Sequence, residues 1–464
     1  MKLLIKNAEI LDTATATTRS ADALIEHGRI RALGASIEAH DARLLDARGG
    51  LLLPGLSDHH LHLFASAAAL KSIDCSPERN LDEAGLADRL RAAPGGDWLR
   101  GTGYEDRRAG PLDRRRLDEW LPQRPLRIQH ASGKMWFLNG AALALLNVDA
   151  LDDPGVERDR DGKPSGRLFR LDGWLRAALA ATPPSLADLS HALARFGVTA
   201  LTDASPDNDA DTARLFAARQ ASGELRQRLR LMGNEALLAF DTPMLASGEL
   251  KVLLDEAALP ELDVLIERLR AARDAGRRAA FHCVTPTETT FALAALDGAG
   301  VLTGDRLEHA SRLPLPQLDA IAERELTVVT QPVLIHDRGD RYRRSHEPEQ
   351  LAQLYRAASH AAQGTALAFA SDAPYGSLDP WLGMRAAVTR LTSSGETLGR
   401  EEAVSPETAL RAYLGDPTAP GTPKELRIGG SADLCLLHEP WRVARERLHA
   451  DLVRATFVDG EQIA

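Results

Sequence analysis

The stretch Leu51-Leu-Leu-Pro-Gly-Leu-Ser-Asp-His-His-Leu-His62 joins a short apolar run to two histidines that are spaced two residues apart. An apolar run bounded by Gly and Pro is typical of a buried strand, so we predict a strand at residues 51–56. In extended backbone, residues i and i+2 face the same side, so the imidazoles of His60 and His62 can reach one divalent ion. His59 is expected to face away from this pair. Alone, such a pair is a weak signal.

Similar short β-rich runs recur along the chain, separated by longer Ala-, Leu- and Arg-rich segments with helical periodicity, such as 260–275 and 313–324. This alternation is typical of a parallel sheet with crossover helices. Eight runs are predicted as strands, which is the number that a (β/α)₈ barrel requires. They are residues 51–56, 126–130, 198–203, 250–254, 279–284, 306–309, 327–333 and 366–372.

The two ends of the chain carry further strand-like runs, and neither end is long enough to form a core of its own. We therefore predict an α/β protein in which residues 1–53 and 425–464 form one small β-sandwich and residues 54–424 form the barrel. Two stretches, near 74–124 and 139–190, do not follow the repeat. They are predicted as insertions over one face of the barrel, where such loops usually shape the mouth of a site.

Composition excludes several classes of function. The chain has 464 residues, with 56 basic against 66 acidic side chains and a net charge of -10, which is the wrong sign for a general nucleic-acid binder. No uncharged apolar run approaches the roughly 18 residues that cross a bilayer, so we expect neither a membrane protein nor a secreted one. Three widely separated cysteines fit a reducing cytoplasm. A small-molecule substrate is expected, and a homodimer is one assembly that such a chain could form.

Metal-ligand residue types stand at the C-terminal ends of the predicted strands, which is where barrel enzymes assemble their sites. Besides the first pair, four such residues lie in or at the end of strands four, five, six and eight: Lys251, His282, His309 and Asp372. Each has an ordinary explanation, since a histidine can be a core residue and an aspartate can cap a helix. Together, in a chain with only 14 histidines, they indicate a metal centre. Asp58 is predicted to orient a ligand rather than to bind metal.

The lysine at position 251 lies in a run that otherwise reads as a buried strand. It either extends its aliphatic chain to the surface or is desolvated, in which case its pKa falls and the neutral amine can react. A neutral buried amine could be carboxylated by carbon dioxide and would then bridge two metal ions as a carbamate. The residues alone leave both alternatives open.

These residues resemble the amidohydrolase superfamily over nearly the whole chain. The matching segments are Pro-Gly-x-x-Asp-x-His-x-His at 54–62, Lys251, His282, His309, Ser-Asp-Ala-Pro at 371–374 and Gly-Gly-Ser-Ala-Asp-Leu at 429–434. More narrowly, residues 197–203, 330–332 and 371–380 are similar to the branch that contains N-substituted formamide deformylases and YtcJ-like proteins. The resemblance implies a (β/α)₈ barrel with a β-sandwich built from both chain ends.

The resemblance also implies a mechanism, the metal-dependent hydrolysis of a C–N bond in an amide or cyclic amide. A divalent ion, with Zn²⁺ as the expected metal, lowers the pKa of its bound water towards about 7, and Asp372 serves as general acid and base. If Lys251 is carboxylated, it bridges one ion held by His60, His62 and Asp372 to a second ion held by the two remaining histidines. If Lys251 is unmodified, one ion is expected.

Lys134 stands where the resembling branch often has a histidine, so it either binds a substrate carboxylate or carbonyl or is an ordinary loop lysine. Tyr104, Asp106, Gln331 and Arg338 are further candidate substrate-binding groups, and for each of them a structural role is the alternative. Two rival functions remain open. A mononuclear aminohydrolase that deaminates a heterocycle commonly has a glutamate where this chain has Thr285, which argues against it. A non-catalytic scaffold is expected to have lost ligands, and here every ligand position is filled.

Overall fold

The sheet that carries the candidate site has eight parallel strands in chain order, as the (β/α)₈ prediction requires. The computed structural model describes residues 2–76, 82–96, 98–179 and 183–464. Barrel strands one to eight are Leu56–Leu61, Val198–Asp203, Arg228–Gly233, Leu245–Leu253, Ala279–Cys283, Arg306–His309, Thr327–Thr330 and Ala366–Phe369.

The backbone joins the two outer strands of this sheet just beyond their carboxyl ends. The amide of Asp372 donates to the carbonyl of His60 at 2.8 Å, and the amide of His62 donates to the carbonyl of Ala373 at 2.8 Å. Strand eight therefore meets strand one at the point where candidate ligands follow both strands.

Helices and short 3₁₀ turns follow the strands and cover the barrel. The helices are Ala187–Arg195, Ala210–Ala221, Leu262–Asp274, Pro286–Ala299, Leu315–Glu323, Val333–Ser345, Pro348–Leu351, Ala358–Gln363, Pro380–Thr389 and Pro406–Arg411. In the helix Leu262–Asp274 the buried residues Leu265, Leu269 and Ala272 recur at helical spacing and pack on the barrel strands. Among the described residues, no helix is long and apolar enough to cross a membrane.

Both chain ends form one β domain, as predicted. Its eight-stranded sheet comprises Lys2–Asp12, Thr17–Glu26, Arg29–Gly34, Arg43–Asp46, Leu51–Pro54, Leu434–Leu437, Val453–Val458 and Glu461–Gln462. The two ends meet where Leu434 pairs antiparallel with Pro54, and buried side chains such as Ile5 and Phe457 fill the core of the domain. The helix Trp441–Arg447 and the hairpin of Gly415–Asp416 and Ala419–Pro423 complete this part of the chain.

Residues Phe64–Ser185 form a second unit, separate from the unit of Met1–Leu63 and Leu186–Ala464. It contains a six-stranded sheet of Ile73–Asp74, Leu99–Tyr104, Leu126–His130, Met135–Leu138, Val156–Arg158 and Pro164–Phe169. Its helices are Glu83–Ala92, Asp106–Ala109, Arg114–Trp120, Gly140–Leu145 and Asp172–Leu179, while Leu63–Leu70 begins at the boundary between the units. Both predicted insertions, 74–124 and 139–190, have most of their length in this unit.

Two strand predictions are wrong. Residues 126–130 belong to the sheet of the second unit. The barrel reaches eight strands with a strand that was not predicted, Arg228–Gly233, which is the third in order. Alternating arginines hide this strand in the sequence, since Arg228 and Arg230 interrupt the apolar run. Their charges are paired in the fold, with Asp433 at 3.2 Å and with Glu249 at 3.0 Å respectively.

The predicted strand at 51–56 is in fact two strands that meet at Gly55. Leu51–Pro54 belongs to the terminal β domain, and Leu56–Leu61 is the first barrel strand. A Cβ atom on Gly55 would lie 2.1 Å from the hydroxyl oxygen of Thr199, so only glycine allows the chain to pass this point. The chain passes from the sheet of the terminal β domain to the barrel sheet at this single residue. The apolar pattern continues across Gly55, so it does not reveal where one strand ends and the next begins.

Candidate metal centre

His60, His62 and Asp372 form a group whose ligand atoms all lie within 4.8 Å of one another. The Nε2 atoms of His60 and His62 each lie 3.6 Å from the same carboxylate oxygen of Asp372. Asp372 adopts a positive φ of 54°, which turns the chain sharply after strand eight. Two imidazoles and one carboxylate around a shared point are a donor set that suits a divalent ion.

His60 is fixed by a buried carboxylate that the sequence analysis did not single out. Its Nδ1 donates a hydrogen bond to Glu308, whose other oxygen accepts a 2.7 Å bond from Nε of Arg306. Both Glu308 and Arg306 are fully buried. With the proton held at Nδ1, the lone pair of Nε2 is available to a metal ion, and the carboxylate raises the basicity of the ring.

His62 is supported by a weaker, neutral partner. Its Nδ1 lies 3.1 Å from the hydroxyl oxygen of Ser205, and its Nε2 faces Asp372. The ring of Tyr375 packs edge-on against it, with 5.9 Å between the ring centroids. The two histidines of the pair therefore present the same nitrogen to the shared point, although their supporting groups differ in charge and burial.

Asp58 acts on the backbone around the ligands. Its carboxylate accepts hydrogen bonds from the amides of His60 at 3.2 Å and Ser371 at 3.1 Å, and so ties strand one to the end of strand eight. Burial raises its pKa to about 6. These contacts agree with the predicted orienting role, because the carboxylate bonds to backbone amides beside the candidate ligands.

His309 and His282 lie beside this group at the ends of strands six and five. The ring of His309 lies 4.7 Å from that of His60 and 4.5 Å from that of His282, measured between ring centroids. Nδ1 of His309 lies 2.8 Å from Oε1 of Gln331, an amide acceptor, so this ring also carries its proton at Nδ1. Gln331, predicted as a substrate-binding residue, is thus fully buried and orients a histidine.

Lys251 points into the same interior, and its ammonium nitrogen has no hydrogen-bond partner among the described residues. The side chain is buried, which excludes the alternative of a lysine that reaches the surface. Burial lowers its pKa, an effect that the charge of Glu308 opposes and that of Arg306 reinforces. A buried amine without a partner is costly, so this position fits a site that an additional group completes.

Asp372 is held in its ionised form by the histidines around it. Burial alone would raise the pKa of its carboxyl group, but His309, His62 and His60 lower it well below the usual value for aspartate. The carboxylate is therefore charged at neutral pH and available to bind a cation or to accept a proton.

Tyr104 and Lys134 lie in the unit Phe64–Ser185. Tyr104 is buried in the core of that unit, where its hydroxyl donates to the carbonyl of Gly110 and its ring packs on Phe137. Lys134 is exposed, and the amide of Arg170 donates to its carbonyl at 2.8 Å. A role of either residue in binding substrate stays a prediction.

The sequence analysis missed Glu308, Arg306 and Ser205. A signal for the first two exists, because Arg306 and Glu308 are spaced two residues apart in the short strand that ends at His309. Residues so spaced face the same side of a strand, and a charged pair inside a barrel strand needs a polar partner there. Ser205 carries no comparable signal, since it lies in a loop after strand two.

Comparison with known proteins agrees with this geometry. A family model described as the amidohydrolase family matches residues 43–464. The chain is 27% identical to an N-substituted formamide deformylase of Arthrobacter pascens, over 99% of this chain and 97% of that protein. It is 23% identical to the amidohydrolase YtcJ of Bacillus subtilis (strain 168), over 90% of this chain and 89% of that protein.

A solved structure shares the fold. The crystal structure of an uncharacterised metal-dependent hydrolase from Pyrococcus horikoshii OT3 superposes with a TM-score of 0.79 and 20% sequence identity, and covers 96% of this chain and 99% of that chain. The barrel and its cluster of histidines and aspartate define a metal-dependent hydrolase that acts on C–N bonds. The chain belongs to the amidohydrolase family.

Proposed function

We propose that this protein hydrolyses the C–N bond of an N-acyl or N-formyl amide, with Asp372 as the residue that moves the proton. The observation that carries the proposal is the position of the Asp372 carboxylate, 3.6 Å from Nε2 of both His60 and His62 and held ionised by the surrounding rings. The name of the Arthrobacter relative supports a substrate of the formamide type.

The residues present fit a divalent ion, for which we propose Zn²⁺. Nε2 of His60 has its lone pair free, because Nδ1 of this ring donates to Glu308. Nε2 of His62 faces the same point, and Asp372 supplies an oxygen. When bound, such an ion lowers the pKa of water and polarises a carbonyl group. Imidazole and carboxylate donors in this number are typical of hydrolytic zinc sites.

In the proposed reaction, water adds to the amide carbon while the carboxylate of Asp372 accepts a proton from it. The same proton passes from Asp372 to the nitrogen as the C–N bond breaks, so the products are a carboxylic acid and an amine. Asp372 returns to its ionised form at the end of the cycle. A carboxylate that is ionised in its resting form can accept a proton in the first step and return it in the second.

We further propose that Lys251 is carboxylated and bridges two ions, the second of which is held by His282 and His309. The neutral amine would attack carbon dioxide and form the new N–C bond, the nitrogen would lose one proton to solvent water, and the carbamate would carry one negative charge. The nitrogen of Lys251 has no partner among the described residues and burial lowers its pKa, and both observations support this step. The negative carbamate would also lie close to the positive charge of Arg306.

Metal content per chain tests these statements directly. Protein expressed with zinc and bicarbonate is expected to hold two equivalents, and a Lys251→Met variant, which keeps the length of the side chain but cannot form a carbamate, is expected to hold fewer. Lys424→Met is a matched control, because Lys424 is a second buried lysine that bonds to the carbonyl of Gly55 at 2.9 Å. Equal metal content in the parent and Lys251→Met would contradict the bridge.

An assay on matched substrates tests the reaction class. N-formyl and N-acetyl amines are expected to release the free amine, whereas aminated heterocycles are expected to release no ammonia. Thr285 and Glu288 favour this outcome over deamination, because they form a capping box at the start of the helix Pro286–Ala299 and are committed to that structure. Ammonia release from a heterocycle without amide cleavage would overturn the proposal.

We also infer a small-molecule substrate and no nucleic-acid partner from the acidic charge balance. A homodimer and a cytoplasmic location stay predictions. Light scattering of the purified protein measures the mass of the assembly and decides the first of these.

A further inference from the structure

Arg338 lies next to the candidate metal centre and takes no part in the proposed reaction. It is carried by the helix Val333–Ser345, which follows barrel strand seven. One nitrogen of its guanidinium group donates to the carbonyl of Tyr375 at 2.7 Å. The amide of Tyr375 in turn donates to the carbonyl of Asp372 at 2.8 Å, and its ring packs against His62.

The guanidinium group of Arg338 forms no ion pair with the described residues. None of their carboxylates lies within 4.0 Å of its nitrogens, and among them the Tyr375 carbonyl is the only hydrogen-bond acceptor that it contacts. The neighbouring Asp337 acts on Arg338 only through its charge, and its carboxylate accepts a hydrogen bond from the amide of Ser377 at 2.8 Å. Most of the donor capacity of Arg338 is therefore unused.

Other arginines in the interior of the same unit are paired. Arg306 bonds to Glu308, and Arg356 bonds to Glu402 at 2.7 Å. Arg277 and Arg390 each donate to several backbone carbonyls. Since these four arginines are held by acceptors of the protein itself, the N–H groups that the half-buried Arg338 has left over point to an acceptor that the chain does not provide.

The surroundings of Arg338 keep it charged. Burial alone would lower the pKa of the guanidinium group, but the phenols of Tyr342 and Tyr355 and the carboxylate of Asp372 raise it. The two phenols bond to each other at 2.9 Å. A planar, charged group with free N–H donors matches the two oxygens of a carboxylate.

We propose that Arg338 binds a carboxylate of the substrate, so that the substrate class is an N-formyl or N-acyl amino acid rather than a neutral amide. The inference rests on the proposed function, since it deepens the identity of the amide that the site cleaves. Its basis is a guanidinium group that has no ion pair among the described residues and bonds to Tyr375, three positions after Asp372 and against the ring of His62.

The test uses two substrates that differ only in a carboxylate, N-formylphenylalanine and N-(2-phenylethyl)formamide, with the metal-loaded enzyme. The wild type is expected to prefer the first by kcat/KM. Because a charged hydrogen-bonded contact is lost, Arg338→Met is expected to lower this preference about 10- to 100-fold, mainly through KM. Arg338→Lys, which keeps the charge and one donor, is expected to retain part of the preference.

Arg343→Met is the matched control, since Arg343 lies on the same helix but is exposed and pairs with Glu396 at 2.9 Å. Its preference for the two substrates is expected to equal that of the wild type. A purely structural Arg338 would change both substrates alike in Arg338→Met, and an unchanged ratio would overturn the proposal.

A binding measurement separates this inference from the proposed reaction. Calorimetry with 3-phenylpropionate and the neutral ketone 4-phenylbutan-2-one, neither of which has a C–N bond to cleave, is expected to show tighter binding of the carboxylate in the wild type only. Arg338-dependent binding without any amide hydrolysis would refute the reaction and keep the carboxylate site. Hydrolysis of N-formyl substrates with no dependence of binding on Arg338 would refute the carboxylate site alone.

Discussion

The two edges of the candidate metal centre differ in how far the protein satisfies its own polar atoms. At the edge formed by strands one and eight, both histidines have a partner for one ring nitrogen and the aspartate faces the other. At strand four, the nitrogen of Lys251 contacts no acceptor in the part of the chain that the structure describes. The first edge is organised by contacts within the protein, whereas at the second edge a buried amine is left without such a contact.

This difference predicts that the edge at strand four, and not the edge at strands one and eight, depends on which small molecules and ions are present. Groups supported by protein contacts keep their geometry without a ligand, and so they set the position of the reaction. If Lys251 is carboxylated as proposed, the second edge is expected to depend on the supply of carbon dioxide and metal. Binding of a group to it relieves an unfavourable burial, so loading of this edge is expected to stabilise the fold.

The largest expected effect is that of Asp372→Asn, which tests the organised edge. Turnover is expected to fall by about 10²–10⁴-fold, because the residue that moves the proton is lost while most of the ligand set remains. Metal content measured on the same protein is expected to persist. Asp379→Asn is the control, since Asp379 caps a helix at Trp381 and contacts no ligand. Full activity in Asp372→Asn would contradict the assignment.

The second effect concerns the carboxylate behind His60. Replacing Glu308 with Gln removes the negative charge at Nδ1 of the ligand, and the affinity for the ion is expected to fall about 10- to 100-fold. Competition with a chelator measures it. Glu402→Gln is the control, because it removes a buried charge that pairs with Arg356 at 2.7 Å and lies away from the candidate ligands. Equal losses of affinity in the two variants would show that Glu308 acts only through general electrostatics.

A smaller effect is expected at His62, whose partner is neutral. Ser205→Ala removes one hydrogen bond at 3.1 Å and leaves the ring packed against Tyr375. A single neutral hydrogen bond contributes about 1 kcal/mol, so the affinity for the ion is expected to fall about five-fold. A loss as large as that in Glu308→Gln would remove the distinction between a charged and a neutral support.

The smallest expected effect is that of lowering the pH on the retention of metal. Burial lowers the pKa of both His60 and His309, so each ring stays neutral, and able to bind metal, below the ordinary histidine value of about 6.5. Metal bound through His60 and His309 is expected to be retained as the pH falls through this value and lost only at lower pH. Metal content after equilibration across the range measures it, and half-loss near pH 6.5 would contradict the shift.

Some of the site followed from residue spacing, and some could not. The pair His60 and His62 is local, so alternation along one strand was enough to predict that both side chains face the same point. Glu308 lies next to a predicted ligand, yet its role depends on the approach of strand six to strand one. Such a contact is set by the closure of the barrel, which no local pattern records.

The strands themselves show the same limit. Continuous apolar runs such as Ala279–Cys283 were found because both faces of a parallel strand are buried. Arg228–Gly233 was missed because its arginines are neutralised by acids from distant parts of the chain, including Asp433. Residues 126–130 have the composition of a barrel strand but pair within another sheet, and composition does not specify the partner.

The contacts between strands one and eight have a consequence for assembly of the molecule. Asp58 bonds to the amide of Ser371 across 313 positions of sequence, and the two candidate ligands on strand one face Asp372 over nearly the same span. A contact of this range forms only after the intervening segments have folded, because closing so long a loop costs entropy. An ion held between these residues would link the first barrel strand to the last. The metal content of the protein would then measure the fraction of chains in which the barrel is closed.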